Sequence, residues 1–279
     1  MQIVNSQLSV DGRTVIHTQR THDGKTVKTA QSNRGGAYVI RFSVQKGCTQ
    51  ACLHCDSGLV PLERQLTDME MVRQCMNVVG TLPWKTGVIT SLGLETLGEG
   101  EPCTNFKNCM AAILEMDCMQ WSVPIRFLIS TTGVRPDLIL KLAKYRLNSE
   151  IDLQIWLHGG DDETRKLIVP RTGPVAKIVE AAKEYQARSG RRVIFNYVIR
   201  DGVNDSKEQA HAVVKLLGPD SFVRFNRHNV IPGLPFRPSP IAAVNAFRDI
   251  LRQGGVEHED FETEGADVGA ACGMISSKQ

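Results

Sequence analysis

The chain has 279 residues, of which 42% are hydrophobic and 23% charged, and its formal net charge is +3. This composition allows a full buried core and excludes an intrinsically disordered protein. The N-terminus has no signal sequence, and no run approaches the roughly 18 apolar residues of a membrane span, so we expect a cytosolic protein without a membrane partner. Eight cysteines in such a chain indicate metal or redox chemistry instead of a disulfide framework.

The N-terminal segment predicts a small antiparallel ribbon. Asp11-Gly12 and Asp23-Gly24 are typical hairpin turns between alternating residues. Residues 1–46 carry seven basic and two acidic side chains, a local net charge of +5. Such an excess suits contacts with phosphate groups, although solvated hairpin residues would give the same composition.

After the ribbon, short apolar runs rich in β-formers alternate with helical patterns. The alternation predicts an α/β fold with a parallel sheet and right-handed crossovers, which we expect to form a partial (β/α)6 barrel. We assign residues 1–36 to the ribbon and residues 37–279 to the barrel and a C-terminal extension. The predicted strands are 38–44, 87–93, 125–130, 151–157, 192–199 and 222–231, and the predicted helices lie near 67–79, 105–118, 135–145, 173–188, 206–217 and 238–253.

Three cysteines follow the first predicted strand of the barrel. Cys48, Cys52 and Cys55 have the spacing C-x3-C-x2-C on one short loop. Soft sulfur ligands select iron–sulfur, zinc or cuprous sites, and three of them can hold three irons of a cubane cluster and leave the fourth iron open. A structural zinc site with His54 or a distant fourth ligand is the alternative, but such sites usually have two separated ligand pairs.

Three further loops follow predicted strands, where the active face of a parallel barrel lies. In Gly-Glu-Gly-Glu-Pro at residues 98–102, the glycines allow close approach to a ligand, and Glu101 can accept hydrogen bonds from an ammonium group. A solvated acid in a turn is the ordinary alternative for Glu101. Ser130 begins a Ser-Thr-Thr-Gly loop, and His158 ends the fourth strand, where we favour ligand contact over a core position.

Together these motifs resemble the RlmN/Cfr-type radical S-adenosylmethionine (SAM) adenine methyltransferases, which modify ribosomal and transfer RNA. In that family the three cysteines hold a 4Fe–4S cluster whose open iron binds SAM. The resemblance implies a radical SAM barrel and covers roughly residues 20–279. Beyond the loops above, the matching segments are residues 168–170, 197–205, Asn229 before 232–236, and 267–273.

The resemblance implies roles for individual residues. Cys48, Cys52 and Cys55 would ligate the cluster, and Cys272 would take a methyl group from one SAM and present it to the substrate. A second SAM would supply the 5′-deoxyadenosyl radical, because the electron-poor ring carbons of adenine do not attack a methyl cation donor. The implied electron donor is a flavodoxin or ferredoxin, and the implied SAM contacts are Gly100, Glu101, Ser130, Leu157, His158 and Asn229.

Two features of the family pattern are missing here. The family has a second cysteine ahead of the cluster loop, which breaks a protein–RNA crosslink, whereas residues 39–43 contain none. Lys28 stands at or near the place of the family's glutamate base. Cys103, Cys109 and Cys118 are candidates to replace the thiol, but the last two lie on a predicted helix and suit a core position better.

The chain also starts near the ribbon, whereas ribosomal-type members carry a helical RNA-gripping domain ahead of it. We therefore expect RNA to be recognised by the basic ribbon and by barrel-face residues. An acidic stretch at residues 257–264 would repel phosphate if it faced the same side. The barrel-face candidates are Arg171, Arg224, Arg227 and His228.

The sequence thus predicts a radical SAM enzyme that methylates an adenine ring carbon in RNA, either rRNA or tRNA. A radical SAM enzyme that acts on a peptide or small molecule is the alternative. A third interpretation, a zinc-binding RNA adaptor without catalysis, predicts colourless protein.

Overall fold

A ten-stranded sheet forms the centre of the computed structural model, which describes residues 1–276. The strands are β1 (Gln2–Leu8), β2 (Thr14–Arg20), β3 (Thr26–Arg34), β4 (Ala37–Arg41), β5 (Gln45–Lys46), β6 (Arg64–Gln65), β7 (Ser91–Glu95), β8 (Ile125–Thr131), β9 (Glu150–Trp156), β10 (Val193–Tyr197), β11 (Phe222–Asn226) and β12 (Glu257–Phe261). β5 and β6 form a separate two-stranded sheet, and the other strands lie side by side in chain order.

The first three strands form the predicted antiparallel ribbon. Its turns contain Gly12 and Gly24, whose φ angles of 70° and 81° lie in the region that favours glycine. β3 also pairs antiparallel with β4, so the ribbon and the barrel strands share one sheet. The division between residues 36 and 37 stays a prediction, and residues 277–279 of the predicted barrel lie outside the described part of the chain.

From β4 onwards, neighbouring strands of the large sheet are parallel, which confirms the predicted α/β fold. The sequence pattern does not predict β12, because Glu257–Phe261 is largely charged and exposed, as suits a sheet edge. The predicted sixth strand was too long: β11 ends at Asn226, and the residues after it form a loop. β1 and β12 are the edges, so the sheet is open.

Helices connect the parallel strands, and the core lies between them and the sheet. Thr67 begins the first helix with a capping box that includes Glu70, and Gly190 ends the fifth with φ 68°. The fourth helix is too short to give a periodic pattern in the sequence. The helices are α1 (Asp68–Val79), α2 (Phe106–Asp117), α3 (Pro136–Leu142), α4 (Asp162–Lys166), α5 (Val175–Ser189), α6 (Lys207–Leu217) and α7 (Ile241–Gln253). Within residues 1–276, none of them is long and apolar enough to cross a membrane.

The small sheet of β5 and β6 closes the base of the cysteine loop. Gln45 pairs with Gln65, and Lys46 pairs with Arg64, so residues 47–63 form an excursion with fixed ends. The excursion begins just past the end of β4, at the carboxyl edge of the parallel strands. Parallel α/β folds place their active sites at this edge.

Candidate active site

The three cysteines of the motif lie on a loop that is held by its own backbone. The amide of Cys48 donates to the carbonyl of Val60 (3.0 Å), and the amide of Gly58 donates to the carbonyl of Cys55 (2.9 Å). A Cβ atom on Gly58 would lie 2.3 Å from the carbonyl oxygen of Cys52, so the close approach there requires glycine. Because backbone contacts fix the loop, the thiols are available to a ligand.

Cys48, Cys52 and Cys55 line one pocket at the carboxyl edge of the sheet, which encloses about 1010 Å³ including its mouth. Concave pockets of this kind are where proteins bind cofactors and small molecules. Residues from the ends of several strands complete the wall. They include Cys272 and four of the predicted SAM contacts, Gly100, Glu101, Ser130 and Asn229.

The donor set of this pocket fits an iron–sulfur cluster. Burial raises the pKa of the Cys48 thiol to about 12 and also raises the pKa of Cys52 and Cys55, whereas a metal-bound thiol is deprotonated outright. Among residues 1–276, no three Cys, His, Asp or Glu side chains converge on a single metal ion. Cluster ligands need not converge in this way, because each cysteine binds a different iron.

Glu101 is buried and fastens the loop that follows β8. Its carboxylate accepts hydrogen bonds from the amides of Cys103 (3.0 Å) and Thr132 (2.8 Å) and from the hydroxyls of Thr131 and Thr132. Burial raises the pKa of Glu101, although these four hydrogen bonds act in the opposite direction. The carboxylate therefore joins two of the predicted ligand-binding loops, and its contact with SAM stays a prediction.

Ser130 and Asn229 are held by pocket neighbours. The hydroxyl of Ser130 accepts a hydrogen bond from the indole of Trp156 (2.8 Å). Asn229 donates to the carbonyl of Cys272 (2.9 Å) and accepts from the hydroxyl of Thr263 (3.0 Å). Trp156 is a pocket residue that sequence reasoning missed, although its place at the end of a predicted strand was a usable signal.

The structure places Leu157 and His158 behind the pocket wall. Both are fully buried. The carbonyl of Leu157 accepts a hydrogen bond from Arg165, and the ring of His158 packs edge-on against His54 with centroids 4.6 Å apart. Their SAM contacts therefore stay predictions, and the structure gives both residues a part in supporting the wall.

Cys272 reaches the pocket on a C-terminal segment that is tied to the cysteine loop. The amide of Asp56 donates to the carbonyl of Gly273 (2.7 Å), and the hydroxyl of Ser57 donates to the carbonyl of Ile275 (2.7 Å). These contacts use the backbone of the C-terminal segment. They bring Cys272 to the pocket of the three cysteines although it is far away in the sequence.

Cys272 also borders a second pocket of about 520 Å³. Among the charged side chains of its wall are four that we call the ionic clamp: Arg34, Arg41, Glu95 and Glu264. Glu264 accepts two hydrogen bonds from Arg34 (2.6 and 2.9 Å) and one from Arg41 (2.5 Å), and Arg41 lies 3.5 Å from Glu95. Burial alone would raise the pKa of Glu264, but the two arginines lower it to about 2. The clamp joins β3, β4 and β7 to the segment that carries Cys272.

We expect Glu264→Gln to lower the free energy of unfolding by roughly 2–3 kcal/mol, because Arg41 is 5% exposed and loses a carboxylate partner. The folded pKa of Glu264 lies below its ordinary value of 4.5, so this stabilisation is complete above about pH 4.5 and is lost as the pH falls towards 2. Urea unfolding of the wild type and of Glu264→Gln at neutral and acid pH measures this difference in the free energy of unfolding. The exposed neighbour provides the control Glu262→Gln, and equal midpoints for both variants would contradict the prediction.

Arg41 lies in the segment where the family has its second cysteine. Its charge lowers the pKa of Cys272, but burial has the larger effect and raises that pKa to about 11. The other candidate thiols lie away from Cys272. Cys103 is buried behind Glu101, Cys109 is buried in the core, and Cys118 is exposed at the end of α2.

Comparisons with known proteins agree with this geometry. Residues 42–213 match the family model of the Radical SAM superfamily. A probable dual-specificity RNA methyltransferase RlmN from Thermus thermophilus is 33% identical over 92% of this chain and 72% of its own length. A second probable dual-specificity RNA methyltransferase RlmN, from Desulforudis audaxviator, is 33% identical over 99% of this chain and 86% of its own length.

A solved structure supports the same assignment. The crystal structure of a radical SAM methyltransferase from Sphaerobacter thermophilus has a TM-score of 0.88 and 29% identity, covering 99% of this chain and 81% of that chain. The match thus includes the ribbon and the C-terminal segment as well as the barrel. The chain therefore belongs to the Radical SAM superfamily and, within it, to the family of the RlmN RNA methyltransferases.

Proposed function

We propose that this protein transfers a methyl-derived carbon from SAM to a ring carbon of adenine in RNA, rRNA or tRNA, by way of Cys272. Cys48, Cys52 and Cys55 would bind the cluster, and Gly100, Glu101, Ser130 and Asn229 would surround SAM. One observation carries the proposal: Cys272 lines the same pocket as the three cysteines. A methyl acceptor at that place can meet both the SAM methyl group and a radical generated at the cluster.

The cofactors of the family are a 4Fe–4S cluster and SAM, which when bound supply the 5′-deoxyadenosyl radical. The protein's part is to orient Cys272 and to manage its proton. Lys28 lines neither pocket, whereas the carboxylates of Glu95 and Glu264 border the pocket next to Cys272. Glu264 is held by two arginines at a low pKa and is a weak base, so we infer that Glu95 serves the proton transfers for which the family uses a ribbon glutamate.

The first transfer step should be strongly pH-dependent. Only a thiolate is nucleophilic, and a thiol whose pKa is raised to about 11 is deprotonated in a fraction on the order of 10⁻⁴ at pH 7. We therefore expect the rate of methyl transfer to Cys272 to rise about tenfold per pH unit between pH 7 and pH 9. Single-turnover labelling with methyl-deuterated SAM, followed by peptide mass spectrometry, measures this rate. A rate that is flat over this range would show that SAM binding lowers the thiol pKa.

Arginine side chains near the pocket mouth suit an RNA substrate. Arg227 and His228 line the pocket, and Arg171 donates to the carbonyl of Thr49 on the cysteine loop (2.9 Å). Arg224 borders the second pocket. The expected repulsion from the acidic stretch is reduced, because its residues on β12 form salt bridges with Arg192, Arg224 and Arg248.

We further infer that a flavodoxin or ferredoxin donates the electrons and that the protein works in the cytoplasm, where such carriers and RNA occur together. The names of the relatives support RNA as the substrate. Binding to RNA should weaken steeply with salt if arginines contact phosphates.

The test follows the label into RNA. Reconstituted protein is incubated anaerobically with total RNA, a reductant and methyl-deuterated SAM, and the RNA is digested to nucleosides. Because none of Cys103, Cys109 and Cys118 lines the pocket that contains Cys272, we expect part of the labelled adenine to remain crosslinked to Cys272, visible as a shifted RNA band on a denaturing gel. Label that reaches Cys272 but never adenine, free or crosslinked, would contradict RNA methylation and favour a peptide or small molecule as substrate.

A further inference from the structure

Two arginines are buried near the cysteine loop without a salt bridge. Arg165 is 0% exposed and Arg200 is 2% exposed. Within residues 1–276, neither guanidinium takes part in a salt bridge. Buried charges in proteins are normally paired, because an uncompensated ion in the interior costs several kcal/mol.

The hydrogen-bond partners of both side chains are neutral. Arg165 donates to the hydroxyl of Thr172 (3.0 Å) and to the backbone carbonyls of residues 132, 156 and 157. Arg200 donates to the carbonyl of Val198 (2.9 Å) and lies 3.5 Å from Nδ1 of His158, and its Nε atom has no partner in the described part of the chain. The guanidinium of Arg200 lies 5.2 Å from the ring centre of Phe236 and lines the cysteine pocket.

Both positive charges act on the same thiol. The electrostatic interactions of Arg165 and of Arg200 each include Cys52, the most buried of the three cysteines. The desolvation is large enough to lower the pKa of Arg165 to about 10 and that of Arg200 to about 9. Arg165 also interacts with the carboxylates of Glu101 and Asp162, whereas Arg200 has no such carboxylate among residues 1–276. Arg200 is therefore the unbalanced cation beside the place where three thiolates would lie when the cluster is bound.

We propose that Arg200, supported by Arg165, is the counter-charge of the cluster and raises its reduction potential. The inference rests on the proposed ligation by the three cysteines. Three cysteinates make the bound cluster anionic, and reduction adds one more negative charge. A fixed cation at short range stabilises the reduced form more than the oxidised form, because net charge is one of the determinants of cluster potential. The same attraction compensates the cost of burying the guanidinium.

The test is a redox titration of the reconstituted protein without RNA, followed by the electron paramagnetic resonance signal of the reduced cluster. Arg200→Gln removes the charge and keeps a donor for the carbonyl of Val198. We expect Arg200→Gln to lower the reduction potential of the cluster by about 59 mV. For one electron this is about a tenfold shift towards the oxidised cluster at a given applied potential. Arg200→Lys keeps the charge and should titrate near the wild type, and Arg188→Gln, on the exposed face of α5, should not shift the potential.

A second pair of variants keeps the test decisive if Arg200→Gln does not fold. Phe236→Glu places a carboxylate beside the guanidinium and neutralises it without removing it, and Phe236→Gln is its uncharged control. The cluster of the Phe236→Glu protein should have a lower reduction potential than that of the Phe236→Gln protein. Equal potentials for wild type and Arg200→Gln, or for the two Phe236 variants, would overturn the proposal. A protein that takes up no cluster overturns it together with the ligand assignment, whereas failure to modify RNA leaves it intact.

Discussion

Cys272→Ala is expected to lower methyl transfer into the protein and into RNA by at least about 10³-fold, since it removes the only group proposed to accept the methyl. The fold should survive the change. Asn229, Asp56 and Ser57 hold the C-terminal segment through backbone carbonyls, and alanine keeps all three. The pocket around the cluster also keeps its other walls, so the variant should still bind SAM.

The informative measurement separates the cleavage of SAM to 5′-deoxyadenosine from the transfer of its methyl group to residue 272. With dithionite as reductant, the Cys272→Ala protein should still produce 5′-deoxyadenosine, because that reaction needs the cluster cysteines and not Cys272. Labelled SAM should leave no mass on any peptide that contains residue 272. Cys75→Ala, a buried core cysteine away from the pocket, controls for a general loss of stability and should keep the label on Cys272. Label that persists in RNA made by the Cys272→Ala protein would disprove the two-step route.

Much of the fold was predictable because each element has its own local signal. Alternating β-rich runs and helical periods gave the parallel strands, and the Asp-Gly turns gave the ribbon. β12 was missed because an exposed edge strand such as Glu257–Phe261 has no apolar pattern. The pairing of β3 with β4 was missed because which strand joins which edge is a property of tertiary structure.

The site was predictable only in part, for a physical reason. The cysteine spacing and the Gly-Glu-Gly-Glu-Pro loop are short motifs whose residues are adjacent in the chain. Cys272 joins them across the whole fold, and only the resemblance to a family identified it. Arg200 and Arg165 carry no motif with a stated role, and their importance comes from burial without a counter-ion, which no sequence pattern displays. Leu157 and His158 are buried beside the pocket and their ligand contacts stay predictions, whereas their neighbour Trp156 lines the pocket.

Arg41 shows how a departure from the family pattern becomes interpretable once it is placed in three dimensions. The resemblance to the family leads one to expect a thiol in residues 39–43, and the sequence has none there. The structure puts a buried guanidinium there, bound to Glu264 and close enough to act on the Cys272 thiol. Residues 39–43 supply this guanidinium and no thiol, and we therefore expect crosslinked RNA to persist.

Replacing any one of Cys48, Cys52 and Cys55 by alanine is expected to abolish cluster retention and therefore all reactions of SAM. A cubane held by three protein ligands loses a third of its protein ligands when one cysteine is removed, and the remaining pair cannot keep it in place. The fold of the loop should persist, because the amides of Cys48, Cys55 and Gly58 make its hydrogen bonds and β5 and β6 close its base. Thermal unfolding of the unloaded variants should therefore stay near that of the unloaded wild type.

Iron and sulfide analysis of anaerobically reconstituted protein measures the effect, together with the visible absorption that gives such proteins their brown colour. We expect about four irons per chain in the wild type and less than about one in each variant. Cys103→Ala and Cys118→Ala, the first buried behind Glu101 and the second exposed, should keep the full complement. A variant that retains its iron and still cleaves SAM would remove that cysteine from the ligand set. Colourless wild-type protein that contains zinc alone would refute the cluster, and with it the radical chemistry proposed for Cys272.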